Sequence, residues 1–203
     1  AQCLVGSEMC IRDSPVVFFN GYYPTLSGTY SVCADNQAGG AELVRHLIDR
    51  GHTKIAGYFK SDDIQGHQRY SGFISELFRS GLIIPDENVF WYTTETKENL
   101  FDDPEEVLKR LGDNTAVVCY NDEVAFGLVK CLLSAGRRVP EDVAVVSFDN
   151  SNLSWISQVP ITSLSYEDRN IGRIAAQKLV DILDGRDVSS EVLPWTFIQK
   201  ESS

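Results

Sequence analysis

Two short apolar runs, Ala116–Cys119 and Val143–Ser147, flank an amphipathic segment in which Ala125, Leu128, Val129 and Leu132 recur at helical spacing. Gly136 follows as a helix-ending glycine, and Pro140 blocks continuation. This is the pattern of a strand–helix–strand unit in a parallel sheet. The same alternation runs through the chain. Strands are predicted at Val16–Asn20, Ser31–Ala34, Lys54–Phe59 and Val89–Tyr92. Asp35 and Asn36 stand where a helix N-cap belongs, and the helix is predicted to run to about Arg50, with Leu43, Leu47 and Ile48 inside. A second begins near Gly66, with Tyr70, Phe73, Ile74, Leu77 and Phe78 as its apolar stripe. Asp103-Pro104-Glu105-Glu106 is a helix start: a cap, a proline at the first position, then acids near the positive end of the dipole. Thr162–Tyr166 reads as a strand or extended crossover, 168–183 as a helix, and Val192–Ile198 as one final edge strand. Residues 1–14 show no period and are expected to be foreign to the fold. The alternation predicts an α/β protein with mainly parallel sheets.

Composition narrows the class. The chain has 203 residues, 43% apolar and 23% charged, enough for one large domain or two small lobes. No apolar run approaches the ~20 residues that span a bilayer, and no secretory signal is evident, so no membrane association is expected. The net charge of −11 makes the chain itself a poor partner for nucleic acid. There are five cysteines and no CxxC pair. Cys33, Cys119 and Cys131 sit in apolar patterns and read as buried reduced thiols, which favours a cytoplasmic setting. His46, His52 and His67 have no metal-ligand spacing, and no metal or cofactor is expected.

The candidate chemistry lies where strands end. Asn121 and Asp122 follow one strand of the central unit, and Asp149 and Asn150 follow the other. In open α/β sheets ligands sit beyond the carboxyl ends of the strands. An amide and a carboxylate there suit a ligand rich in hydroxyl groups.

Several strings occur in one order and register: DNQAGGAELVRHLIDRGHTKIAGYF (35–59), RYSGF (69–73), YNDEVAFGL (120–128), VPEDVAVVSFDN (139–150) and ITSL (161–164). Together they resemble the lac and gal repressor family across residues 15–200. Within it, FKSDDIQG (59–66), YTTETKE (92–98) and CYNDE (119–123) are most similar to the bacterial L-arabinose repressors, which join a GntR-type winged helix to a sugar-binding domain. The resemblance implies a periplasmic-binding-protein-like fold of two α/β lobes with three crossovers. Carried onto this chain, it implies a first lobe at 15–52 plus 165–188 and a second at 53–162 plus 190–203. It also implies a truncated first lobe, lacking its opening βα units, and a DNA-binding domain outside this chain.

The resemblance further implies sugar contacts. Arg69, before xxGF, would bind vicinal hydroxyls; the alternative is a surface ion pair with Asp62 or Asp63. Asn121 and Asp149 match two further ligand positions; the alternative is that they cap the elements after their strands. Asn20 stands at a polar contact position, or is a turn residue before Gly21. Tyr166 falls at the second crossover, to touch sugar or pack the hinge. Asp62, Gln65 and Thr94 follow from the arabinose-repressor likeness. Phe148, Tyr92 and Trp155 are candidate stacking plates for a pyranose face, though each also fits ordinary packing.

No GxSxG, P-loop or HExxH motif occurs, and the carboxylates show no recognised catalytic order. A non-enzymatic effector-binding and dimerisation domain of a cytoplasmic repressor is therefore expected. Its ligand would be L-arabinose or a related pentose, its assembly a homodimer, and its operator contact the work of the absent domain. The alternative is a periplasmic sugar-binding protein of a transport system.

Overall fold

The computed structural model describes residues 14–23, 25–166 and 170–203. The expectation for the lead-in segment and the start of the helix read at 168–183 lie outside those residues.

The larger unit, Asn36–Ser165 with Trp195–Ser203, is built on a six-stranded sheet. Its strands are β3 (Ile55–Lys60), β4 (Val89–Tyr92), β5 (Ala116–Cys119), β6 (Ala144–Phe148), β7 (Thr162–Ser165) and β9 (Thr196–Ile198), in the order β4-β3-β5-β6-β7-β9. All neighbours are parallel except β7 and β9. The central strands β5 and β6 are buried at every residue, as near-continuous apolar runs should be when helices cover both faces.

Helices α1 (Asn36–Asp49), α2 (Ile64–Arg79), α3 (Pro104–Leu111), α4 (Asp122–Ser134) and the short α5 (Asn152–Ile156) belong to this unit. Their starts are set by local chemistry. Asp63 caps α2 by accepting from the Gly66 amide at 2.7 Å, and Asp103 accepts from the amides of Glu105 and Glu106 in the expected Asp-Pro start of α3. Tyr58, Phe90, Val117, Cys119, Leu128, Val129 and Leu132 share one core cluster under α3 and α4. Cys33, Cys119 and Cys131 are free and buried, as read from their apolar surroundings.

The smaller unit, Ala1–Asp35 with Tyr166–Pro194, holds a parallel sheet of β1 (Val16–Phe19), β2 (Thr29–Ala34) and β8 (Glu191–Leu193). Helix α6 (Ile171–Leu183), capped by Asn170, packs on β1 and β2, and Lys178 reaches Glu191 at 2.9 Å. Phe19, Tyr23, Leu183 and Val192 are mostly exposed here.

Three expectations need correction. The chain passes between the units after Asp35, Ser165 and Pro194, so α1 and the stretch to His52 belong to the larger unit rather than the first lobe. The reason is packing: α1 lies against α2, with Gly40 and Gly72 at the crossing. The single strand read at Val192–Ile198 is two strands in different sheets, β8 and β9, and β9 is antiparallel. Pro194 separates them, since it has no N–H for a ladder. Finally, α2 does not bury Phe78, which is 78% exposed; its inner face is Gly66, Arg69, Gly72, Phe73, Glu76 and Leu77. On α1, Val44 is buried with Leu43 and Leu47, while Ile48 is only partly covered.

Candidate functional site

The inward turn of α2 carries a cation into the unit. Its glycines allow this. A Cβ on Gly72 would stand 1.9 Å from the Gln37 carbonyl oxygen, and one on Gly40 would stand 2.3 Å from that of Arg69. Only glycine permits such backbone contact, and it places Arg69 directly beside the first turn of α1.

Arg69 is 1% exposed. Its Nε donates to Asn36 Oδ1 at 3.0 Å, Nη1 to the Tyr120 carbonyl, and Nη2 to Asp149 Oδ1 at 3.1 Å. Asn36 is itself held by donating to Gln68 Oε1 at 2.9 Å. Three aromatic rings surround the guanidinium: Phe148 at 4.3 Å, Tyr120 at 4.7 Å and Trp195 at 5.5 Å from its carbon. A planar, weakly hydrated cation suits such a cage, where hydrogen bonds run in its plane and rings face it. Asp149, the accessible partner, has a side chain 35% exposed. Burial pushes its carboxyl above the usual range, and the Arg69 charge opposes that shift.

A second cluster adjoins it at the ends of β3 and β5. The Tyr120 hydroxyl donates to Asp63 Oδ2 at 2.6 Å and lies 3.3 Å from Gln65 Oε1. Burial, then the bond to Asp63, raises the Tyr120 hydroxyl far above an ordinary phenol. Lys60 Nζ stands 3.5 Å from Asp62 and 3.3 Å from Asp63. Asp62 accepts from the Thr94 amide at 2.9 Å, and chiefly this bond holds its carboxyl down to about 2.

The fold thus joins Arg69 directly to Asp149, Asp62 to Thr94, and Gln65 to the Tyr120 ring that faces Arg69. The surface ion pair of Arg69 with Asp62 or Asp63 does not form, because Arg69 is buried and those acids serve Lys60, Thr94 and Tyr120. Asn121 caps α4 by accepting from the Val124 amide at 3.0 Å. Asp122 is structural: its carboxylate takes bonds from the Ser147 and Ser163 hydroxyls and the Ser151 amide. Asn20, at φ 57°, and Tyr166 belong to the smaller unit.

The stacking candidates fare differently. Phe148 is 0% and Tyr92 3% exposed, so neither offers a free ring face: Phe148 packs on Trp195 and Arg69, Tyr92 on Tyr120. Trp155 is 56% exposed, with the Lys200 ammonium 4.2 Å from its ring centre.

Sequence reasoning missed Asn36, Tyr120 and Trp195. Asn36 carried a signal, read only as a helix cap. Tyr120 stood between an apolar strand and Asn121, where a strand-end hydroxyl could have been suspected. Trp195 follows a proline and has no periodic neighbours to place it.

The fold and this cluster define an α/β module with a buried arginine, partnered by a part-buried carboxylate, at the carboxyl end of a parallel sheet. The chain belongs to the periplasmic binding protein-like domain family, which matches residues 44–203. It is 35% identical over 175 residues to the arabinose metabolism transcriptional repressor of Halalkalibacterium halodurans, covering 84% of this chain and 46% of that protein. The corresponding repressor of Geobacillus stearothermophilus is 34% identical over 177 residues, covering 86% and 48%. Among solved structures, a CelR–cellobiose complex superposes with a TM-score of 0.82 at 29% identity, over 92% of this chain and 58% of that one. A LacI transcriptional regulator from a Rhodococcus species gives 0.83 at 26% identity, over 97% and 72%. The resemblance to the lac and gal repressor family is therefore upheld, and the chain spans about half the length of the curated relatives it matches. No described helix is long and apolar enough to cross a membrane.

Proposed function

We propose that this chain is the effector-binding domain of a transcriptional repressor, and that its effector is L-arabinose or a closely related pentose. The observation that carries the reading is the Arg69–Asp149 pair, caged by aromatic rings on the buried side and partly open to solvent at its carboxylate. A carboxylate accepts from two hydroxyls at once, and the buried guanidinium, bonded through each of its nitrogens, fixes the direction of that carboxylate. Asn121, which follows Tyr120 at the end of the neighbouring strand, would add an amide. Asp62, Gln65 and Thr94 border the same sheet end and would tune the choice of sugar. The name shared by the two arabinose-metabolism relatives supports the pentose.

Sugar acts here only through a difference in affinity between two states of the protein, one binding operator well and one poorly. Operator contact belongs to a DNA-binding domain outside the acidic chain described above, and the reading carries with it a homodimer in the cytoplasm.

A thermal melt of the purified chain with L-arabinose, with D-xylose as control, tests this. Ligand at about 100 times its dissociation constant adds ~2.7 kcal/mol to the native state. A midpoint raised by L-arabinose and not by D-xylose is expected. A cooperative melt indifferent to both sugars would remove the pentose assignment.

A further inference from the structure

Asp149 and Asn150 are consecutive non-glycine residues with φ of 94° and 45°. L-residues resist this left-handed region, so neighbouring groups must hold them there. Two backbone bonds do part of it: the Asp149 amide donates to the Leu164 carbonyl at 2.8 Å, and the Asn150 amide to Ser163 Oγ at 3.0 Å. Both bonds run to β7 and fix the amides. Neither holds the Asn150 side chain.

That side chain accepts a long bond from Ser154 Oγ at 3.4 Å and a shorter one from the far end of the chain. Lys200, just after β9, donates from Nζ to Asn150 Oδ1 at 2.7 Å, Ser154 Oγ at 2.8 Å and the Ile161 carbonyl at 2.9 Å. An ammonium has three protons, and these bonds use all of them. The Trp155 ring covers the charge at 4.2 Å. The Lys200 amide donates to Thr162 Oγ1 at 3.0 Å, so the backbone is pinned as well. No carboxylate forms an ion pair with Lys200 among the described residues. Burial lowers its pKa, with the Asp122 charge opposing. A part-buried cation without an ion-pair partner is costly unless its bonds serve some end. Here the shortest of them reaches the residue after Asp149, and the other two tie that residue's neighbourhood to Ser154 and Ile161.

We propose that Lys200 is a positioning residue for ligand binding: by clamping Asn150 it fixes the left-handed turn that aims the Asp149 carboxylate. This rests on the sugar-binding reading above. Lys200 bonds to neither Arg69 nor Asp149; it acts through one turn of backbone.

The test uses Lys200→Met and Lys200→Arg, with Asn150→Ala removing the acceptor and keeping the lysine. L-arabinose affinity is measured by calorimetry in each, and for Lys200→Met again in an Asp149→Asn background. Lys200→Met and Asn150→Ala are expected to weaken binding roughly tenfold, the worth of one misaimed charge-assisted hydrogen bond. Lys200→Arg should recover most of it. In the Asp149→Asn background the Lys200→Met loss should vanish, because the carboxylate it aims is gone; a purely structural lysine would cost the same in both. Unchanged affinity in Lys200→Met, or an equal loss in both backgrounds, overturns the proposal. A sugar-free readout separates this from failure of the pentose reading: NMR Cα and Cβ shifts of Asp149 and Asn150 should lose their positive-φ signature in Lys200→Met. If wild type binds no pentose, those shifts decide, and their persistence overturns the proposal. If Lys200→Met does not fold, Asn150→Ala supplies both readouts.

Discussion

Arg69 is where the candidate site is most exposed to mutation. Its three nitrogens satisfy Asn36 Oδ1, the Tyr120 carbonyl and Asp149, two of them on well-buried residues. Arg69→Met removes all three bonds at once and strands their acceptors. We expect a loss of about 3 kcal/mol, the scale seen when one partner of a buried charge pair is deleted. Urea unfolding reads this as a lowered midpoint at unchanged slope. Arg69→Lys keeps the charge, yet a single ammonium cannot match the planar fork, so most of the loss should remain. At this scale the sequence marked Asp149, which the fold brings against Arg69, as a polar residue ending a buried strand. Asn121, marked the same way, takes the helix-cap role that was its alternative reading. Asn36 was not, since its side chain turns inward only when α1 meets α2. Phe148 misled for a similar reason: an aromatic at a strand end can face ligand or core, and the cage around Arg69 claims it.

Elements were easier to read than their faces. The strand at Val89–Tyr92 and the Asp-Pro start of α3 follow from local chemistry and appear as expected. The face of α2 did not, because the apolar count favours Tyr70, Ile74 and Phe78 while the helix buries Arg69 and Glu76. The buried Glu76 is paired with Arg79 and, at 3.3 Å, with Arg45; chiefly the Arg79 bond holds its carboxyl below the usual range, with burial opposing. The glycine pair at the crossing enforces that rotation. Gly72→Ala puts a methyl against the Gln37 carbonyl, backbone that cannot turn aside. It should cost about 1–3 kcal/mol or more. Gly172→Ala on α6 is the comparison: its Cβ would meet only Asn170 Oδ1, at 3.4 Å. Gly172 is the second residue of that helix, where an alanine without a clash gains only about 0.4 kcal/mol, the low end of the range for such changes. Thermal melts of the two variants should therefore move in opposite directions.

At the scale of the whole chain, the general plan was legible and the points of exchange were not. Regular alternation announces parallel sheets, and the motifs announce two units. Where the chain leaves one unit for the other depends on which helix packs where, and on Pro194 cutting one extended run into strands of different sheets. The last residues show such long-range dependence. His46 of α1 packs on Phe197 at 4.6 Å and meets Ser203 Oγ at 2.9 Å. Burial, helped by Arg50, lowers the His46 pKa to about 4. Above the ordinary value near 6.5 both folded and unfolded chains carry it neutral, and its contribution is complete. Below that value the unfolded chain takes up a proton that the folded chain refuses, so stability falls until about pH 4. His46→Gln should flatten this part of a stability–pH profile measured by urea unfolding between pH 4 and 7.

The bare backbone contact that Gly40 and Gly72 allow has a mechanical meaning. Most helix pairs meet through side chains whose rotamers can flex and absorb a small shift. Here backbone rests on backbone, and the joint has no cushion. Any displacement of the chain entering α1 at Asn36 is handed on rigidly to the turn that carries Arg69. The glycines touch no ligand, yet they govern how faithfully movement at one end of α1 is felt at the guanidinium.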